Sequence, residues 1–397
     1  MSFQLAYLAR GKLYLQQNEN RFREIHSEFG QSIQRQRLQV QRQRAWKDRG
    51  IRSMIMPPEA IAEQDRQAEA VTPVAITSLC NSPEGKLFYA LEAEDMGALF
   101  RFDPGRDRED RLFHNANFRI SHLDYSPQHD LIACTKTYPT GIVNIATLSP
   151  NSVRPNDITE GDSIDLAPRW LPKEKAVVYQ SAGVSRNSQG FVSDRTPFSI
   201  EKLDFAQQDL TSLAQDPKSD LLGPQIGSDG LLYYIRRPYK SFHHSFSFWK
   251  FFKDILLIPF RLAFAIFQFF NMFAQGLTGK PLIAAGTKQR VEPKRIKIWG
   301  DWLNLDKLPK KHAEDGDAPP LVPATWELVR QGRQGTPEVL AKSVLAYDLA
   351  KDGTIAYTNG SGIFLLSPQG KRERVAIDRF IEAITFVDLP REESDRQ

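Results

Sequence analysis

From residue 76 onward the chain alternates between short apolar runs and polar, turn-forming breaks, and the alternation recurs. Five segments share a polar start, a tight turn and a β-rich apolar run: NSPEGKLFYALE (81–92), YSPQHDLIACTK (125–136), WLPKEKAVVYQS (170–181), GSDGLLYYIRR (227–237) and LAKDGTIAYTNG (349–360). A sixth, ARGKLYLQQ (9–17), lies near the N-terminus. Pro83 and Pro127 are 44 residues apart, and Pro127 and Pro172 are 45. A period of about 40–45 residues with several short strands per unit predicts the blades of a β-propeller. Each run is followed by another strand pattern, as in GALFRFDP (97–104), GIVNIATL (141–148), FSIEKLDF (198–205) and GIFLLSPQG (362–370). RERVAID (372–378) adds a later strand.

The ends of the chain predict how the ring closes. FIEAITFVD (380–388) reads as the inner strand of a blade that lacks its later strands. Residues 5–30 hold LAYLARGKLYLQQ, a polar NENR turn and FREIHSEFG. They read as a hairpin that supplies GKLYLQQ as the next strand and FREIHSEFG as another. Pairing the two termini leaves no open sheet edge. The expectation is an all-β, six-bladed propeller closed by N- and C-terminal strands. Seven blades would need one hidden in 282–323, where only RIKIWGDWLNLD (295–306) is β-like.

Between the fourth and fifth repeats the spacing stretches to 123 residues, Asp229 to Asp352. One blade therefore carries an insertion, and it resumes with ATWELVRQ (324–331) and PEVLAKS (337–343). The resulting division is 1–30, strands completing the last blade; 31–75, a basic helix and linker; 76–238, blades; 239–323, the insertion; 324–390, blades and the closing strand; 391–397, a tail. Residues 31–49 are the helix candidate, because Gln and Arg are good helix formers. Pro57 and Pro58 mark the linker after it.

Within the insertion, 246–276 is the most apolar stretch of the chain, and it too predicts a helix. Asp254, Arg261, Gln268 and Gln275 recur every seven residues. With Lys250 they span about 60° of a helical wheel, and Lys253 and Asn271 widen the polar stripe to about 100°. The broad apolar face comprises Phe248, Trp249, Phe251, Phe252, Ile255, Leu256, Leu257, Phe260, Leu262, Phe264, Ile266, Phe267, Phe269, Phe270 and Phe273. Pro259 would kink it. A transmembrane span conflicts with topology: both ends belong to one blade and must return to the same side. An in-plane or re-entrant membrane anchor fits the amphipathicity. The competing reading buries the helix on the propeller or in the groove of a partner protein, since so broad an apolar face needs covering.

Charge sharpens this picture. The chain carries a net +4, yet 236–311 holds fifteen Lys/Arg against four Asp/Glu. The basic positions offered to an anionic surface are Arg236, Arg237, Lys240, Lys250, Lys253, Arg261, Lys280, Lys288, Arg290, Lys294, Arg295 and Lys297. Each is worth about 1 kcal/mol near anionic lipid. A second basic run has seven Lys/Arg between Arg35 and Arg52. MSFQLAYLARGK lacks the basic start and apolar core of a secretory signal, so a cytoplasmic chain is expected. Cys80 and Cys134 fit reduced thiols in strands, not a disulfide framework.

Catalytic signatures are sparse. No G-x-S-x-G elbow and no G-x-x-x-x-G-K-[ST] loop occurs. Asn359-Gly360-Ser361-Gly362 reads as a hairpin turn. The histidines, His26, His114, His122, His129, His243, His244 and His312, show no metal-ligand spacing. Glu160, Asp162 and Asp165 read as solvated turn residues. No catalytic, metal or cofactor residues are assigned.

SPEGK, SPQHD and KDGTIAY, each with its alternating strand, resemble the WD40-like (PD40, TolB-type) propeller repeat, whose usual form is S-P-D-G-K followed by a strand. The similarity covers about 300 residues outside the insertion. Asp-Gly stands in this frame at Asp352-Gly353, with Asp229-Gly230 close to it. The resemblance implies a rigid binding disc. It does not imply a periplasmic role, and no Trp-Asp ending closes the repeats. The expected function is a non-enzymatic binding scaffold, peripherally anchored to the cytoplasmic face of a membrane. Its partners would be anionic lipid and/or a protein, with no nucleic acid and no assignable small-molecule ligand. The alternatives are a soluble scaffold subunit whose insertion docks into a partner, and a hydrolase or lyase working in the propeller funnel.

Overall fold

The structure is a computed structural model. It describes residues 3–18, 21–36, 39–40, 74–93, 96–116, 118–138, 140–151, 154–187, 192–240, 295–298, 301–304, 318–332 and 335–388. The chain is an all-β propeller of antiparallel sheets. One sheet joins Ala75–Asn81, Leu87–Ala93, Met96–Asp103 and Arg108–Ala116 in sequence order. Two groups follow, from Arg119–Ser126 to Val143–Leu148 and from Ser163–Trp170 to Asp209–Ala214. They merge into one nine-stranded sheet through a parallel contact at Val143 and Ile164. The next sheet joins Ser219–Ile226, Leu232–Pro238, Glu327–Gln331 and Glu338–Lys342. Another joins Ala346–Leu349, Ile355–Thr358, Gly362–Leu366 and Arg372–Ile377.

The final sheet brings the termini together. Ile381–Asp388 pairs antiparallel with Phe3–Ala9, which pairs with Lys12–Asn18, which pairs with Arg21–Ile25. Here the local reading needs correcting. LAYLARGKLYLQQ is not one strand but two, so Phe3–Ala9, not GKLYLQQ, lies beside the C-terminal strand. The break is a two-residue hairpin at Arg10 and Gly11, with φ of 55° and 70°. Positive φ at both central positions is the turn geometry that matches strand twist. FREIHSEFG also divides. Its strand ends at Ile25, and a helix occupies 28–36. Ser27 caps it: the Gly30 N–H donates to Ser27 Oγ at 3.1 Å. The helix thus begins before residue 31, and 41–49 lie outside the described residues.

The core lies between neighbouring sheets, so a middle strand is buried on both faces. In Leu87–Ala93, Leu87, Tyr89 and Leu91 pack with Leu8, Leu13 and Leu15 of the terminal sheet. Phe88 and Ala90 of the same strand pack the other way, with Ile120, Leu123 and Ile132. That is why these strands read as continuous apolar runs. Cys80 and Cys134 are free and buried within strands. RIKI and DWLN form a separate two-stranded hairpin, Arg295–Ile298 with Asp301–Asn304, joined to none of the other sheets.

Candidate functional site

Two places draw polar chemistry together: the axis of the ring and the base of the insertion. The axis is lined by the first strand of each unit, Ala75–Asn81, Arg119–Ser126, Ser163–Trp170, Ser219–Ile226, Ala346–Leu349 and Ile381–Asp388. These strands are not regular. Register shifts fall between Ser121 and Asp124, Leu166 and Arg169, and Leu222 and Gln225. His122, Ala167 and Gly223 sit inside those bulges with φ of 50°, 54° and 57°. A bulge frees an extra residue from the ladder and re-aims the side chains beside it. The freed N–H groups are taken up across the boundaries between units. Leu123 N–H donates to Ser78 Oγ at 2.8 Å, Ala167 N–H to Thr135 Oγ1 at 3.1 Å, and Gly223 N–H to Gln180 Oε1 at 2.8 Å. The first and last of these bonds tie neighbouring sheets together, and the Ala167–Thr135 bond ties the two groups of the nine-stranded sheet.

Asp124 and Arg169, which follow two of the bulges, meet Asp348 of a regular strand on the axis. Arg169 Nη1 donates to Asp124 Oδ1 at 3.1 Å, and Arg169 Nη2 lies 3.7 Å from Asp348 Oδ1. The carboxylates are held from behind. Trp170 N–H donates to Asp124 Oδ2 at 2.7 Å, and Phe386 N–H and Thr385 Oγ1 donate to Asp348 Oδ2 at 2.8 and 2.9 Å. Burial alone would lower the Arg169 pKa, but the two carboxylates outweigh it and raise it. Arg169 is a strut that divides the axial space. On one side is a chamber of about 130 Å³, with His122, Gln225, Tyr347 and Glu382 among its lining. On the other is a cleft of about 280 Å³ between the turns, which Asn81, Lys351, Asp352 and Asp388 also line.

In the chamber, Tyr347 OH donates to Gly223 O at 2.7 Å, and Gln225 Nε2 donates to Tyr347 O at 3.2 Å. Thr77 Oγ1 is spent on Ile120 O, and Ser78 Oγ accepts from Leu123. His122 Nδ1 lies 3.1 Å from Ser121 Oγ and 3.2 Å from Thr135 Oγ1. Glu382 is the extra residue of a shift in the terminal sheet, where Ala9 pairs with Ile381 and Leu8 with Ala383. Burial pushes its carboxyl up to about 7 against one backbone bond from Arg10. Among the described residues no ion pair meets it, and no group of three or more His, Cys, Asp or Glu could hold a metal ion.

The insertion leaves from Pro238 and returns before Glu327. Pro238 pairs with Ser219, the first residue of an axial strand, and Glu327 pairs with Arg236. Both ends therefore lie on the face where the axial strands begin. Each end is tied down. Asp220 accepts from Arg195 Nη1 and Nη2 at 2.8 and 2.9 Å and from Arg237 Nε at 3.0 Å. Burial would raise the Asp220 pKa, but the Arg195 bonds and the Arg237 charge hold it below the usual range. Arg237 stacks over Trp326 at 5.0 Å, and the Tyr239 hydroxyl donates to Arg195 O. On the returning side, Asn359 Nδ2 donates to Ala318 O and Leu321 N–H to Asn359 O. Gly360 in that same turn has φ 90° and would press a Cβ to 2.8 Å from Leu321.

Of the anchor and basic positions expected from sequence, 248–273 and Lys280, Lys288, Arg290 and Lys294 lie outside the described residues. Arg295 and Lys297 fall on the separate hairpin. Arg236 is paired with Glu327 at 2.7 Å. Arg237 is only 4% exposed, so it is withdrawn from any anionic surface; two guanidiniums are used to neutralise one buried Asp220. Lys240 is described and is exposed. Among the described residues no helix is long and apolar enough to cross a membrane. The axial residues Asp124, Arg169, Asp348 and Glu382 were not foreseen. Asp124 and Arg169 stand three residues before Pro127 and Pro172, at the same point of the repeat, so the column itself is the signal.

No protein-family profile matches the chain, and no curated protein sequence matches it. Solved structures do. A TolB from Acinetobacter baumannii aligns with TM-score 0.51 and 10% identity, over 97% of this chain and 67% of that one. A chain of a nidogen/laminin complex aligns with TM-score 0.51 and 8% identity, over 98% and 99%. The fold is a TolB-type β-propeller.

Proposed function

We propose that the chain is a six-bladed binding scaffold, held at a membrane surface by the apolar segment 246–276 and its basic flanks. The division into blades, insertion and terminal strands is the one drawn above from the sequence. The observation that carries the reading is a shared face. The insertion departs and returns where the axial strands begin. The basic stretch after Ile25 departs there too, because Ile25 pairs with Leu13 beside the Arg10–Gly11 turn. Its return, at Ala75, is again the start of an axial strand. Both basic segments and the apolar one thus leave from and return to one face, and in this reading the turns of the opposite face meet a partner. In-plane binding combines apolar burial with attraction to anionic headgroups. The cytoplasmic leaflet is the proposed surface, and no catalytic step is assigned.

The test is flotation of the full chain with vesicles of phosphatidylcholine and phosphatidylserine, against a variant lacking 241–280. The deletion spares Tyr239 and Ala318, whose bonds fix both stumps, so it should fold. Loss of flotation with retained thermal unfolding supports the anchor. A full-length protein that stays monodisperse and ignores these vesicles fails it, and capture of a defined partner through 241–280 would then favour the soluble scaffold.

A further inference from the structure

Glu382 lies in a position that structural needs do not explain. Its strand contributes apolar and small neighbours to the chamber, Ala383 and Ile384. The residue is present because a shift against Phe3–Ala9 inserts one extra position there. A carboxyl at such a point is unfavourable to ionise without compensation. Every other ionised group on the axis has its counter-charge: Arg169 has Asp124 and Asp348, and those carboxylates have Arg169 and backbone N–H donors. The chamber is therefore a partly open volume of about 130 Å³ whose lining includes one half-buried carboxyl that no ion pair among the described residues answers.

We propose that the axial chamber is a binding site for a small alkylammonium ion, with Glu382 as its counter-ion. The volume suits a primary amine of two or three carbons. Leu8, Leu79, Leu123 and Ile384 offer contact to a short alkyl chain, and the carboxylate meets the ammonium. A bare divalent ion would find too few hard ligands, because no second carboxylate lines this chamber. The groups facing Glu382 across the chamber are His122, Tyr347 and Arg169. The Tyr347 hydroxyl is bound to Gly223 O and stays neutral, its pKa pushed well up by burial. The Arg169 charge is cancelled by its two carboxylates. Binding should strengthen with pH as the Glu382 carboxyl ionises.

The experiment is titration calorimetry of the full chain with propylammonium chloride at pH 8 and pH 6, with propanol as the uncharged control. The expected result is saturable binding at pH 8, at least tenfold weaker at pH 6 and absent for propanol. Glu382→Gln keeps the shape, removes the charge and should abolish binding while its thermal unfolding stays cooperative. Titrating Nα-acetyl-lysine methylamide alongside separates a free amine from a lysine side chain offered by a partner. No saturable heat at pH 8, equal binding by Glu382→Gln, or equal binding of propanol would each overturn the assignment. Because the chamber lining lies wholly outside 241–280, these outcomes are read separately from vesicle flotation.

Discussion

The Arg169 guanidinium and the Asp348 carboxylate come from sheets that are not neighbours in the ring, and they meet at 3.7 Å on its axis. Arg169 also holds Asp124 at 3.1 Å. One side chain thus braces sheets that otherwise touch only their own neighbours. Replacing it by Met keeps much of the volume and leaves two carboxylates facing each other. The expected cost is about 2–4 kcal/mol, because removing one partner of a buried pair strands the other. Chemical denaturation should show it, and Asp348→Asn should recover part of the loss in the Arg169→Met background but not in the parent.

Asp220 is the hub at the base of the insertion. It is 1% exposed and pairs with both Arg195 and Arg237. Asp220→Asn would remove the buried negative charge that both guanidiniums bond. A loss of about 3–5 kcal/mol is expected. Because Tyr239 and Trp326 pack on the same two arginines, proteolysis should also become faster near 238–240.

Glu382 should shape the stability of the protein against pH. Its folded pKa, about 7, lies above its ordinary value of 4.5. Between those values the folded state holds a proton that the unfolded state has lost. The contribution is complete below pH 4.5 and disappears as pH rises towards 7. Glu382→Gln should flatten this part of the profile and be the more stable protein at pH 8, by roughly 1–3 kcal/mol. Thermal unfolding from pH 4.5 to 8 in both proteins measures it, and parallel profiles would refute it.

Gly97 marks a close approach between neighbouring sheets. A Cβ there would stand 1.7 Å from Phe118 O, a backbone atom that cannot swing aside. Gly97→Ala should cost about 3 kcal/mol through overpacking. Gly141, with open space around it, is a contrasting site where only its φ of 82° resists alanine.

The propeller was legible because its middle strands are buried on both faces and its turns recur at fixed spacing. Leu87–Ala93 and Ile355–Thr358 carry that signal in their residues. The N-terminal sheet was harder. An apolar alternation runs straight through Arg10 and Gly11, and only backbone twist shows that the chain reverses there. The axial site was the least legible part. Asp124, Arg169 and Asp348 are single polar residues in buried strands, and the first two owe their placement to bulges that no periodicity encodes. Arg237 misled for the same reason. Within a basic stretch nothing local distinguishes a surface charge from the partner of a distant Asp220.

The pairing of Phe3–Ala9 with Ile381–Asp388 also fixes an order of events during synthesis. Phe3–Ala9 must wait for Ile381–Asp388, more than 370 residues later in the chain, to be made. At roughly 5–20 residues per second, that wait is on the order of 20–75 seconds on the ribosome. Throughout it Leu5, Leu8 and Tyr7 have no C-terminal strand to cover them, and the nascent ring remains an open arc with a free apolar edge. Chaperone demand should therefore persist until Ile381–Asp388 has emerged to pair with Phe3–Ala9.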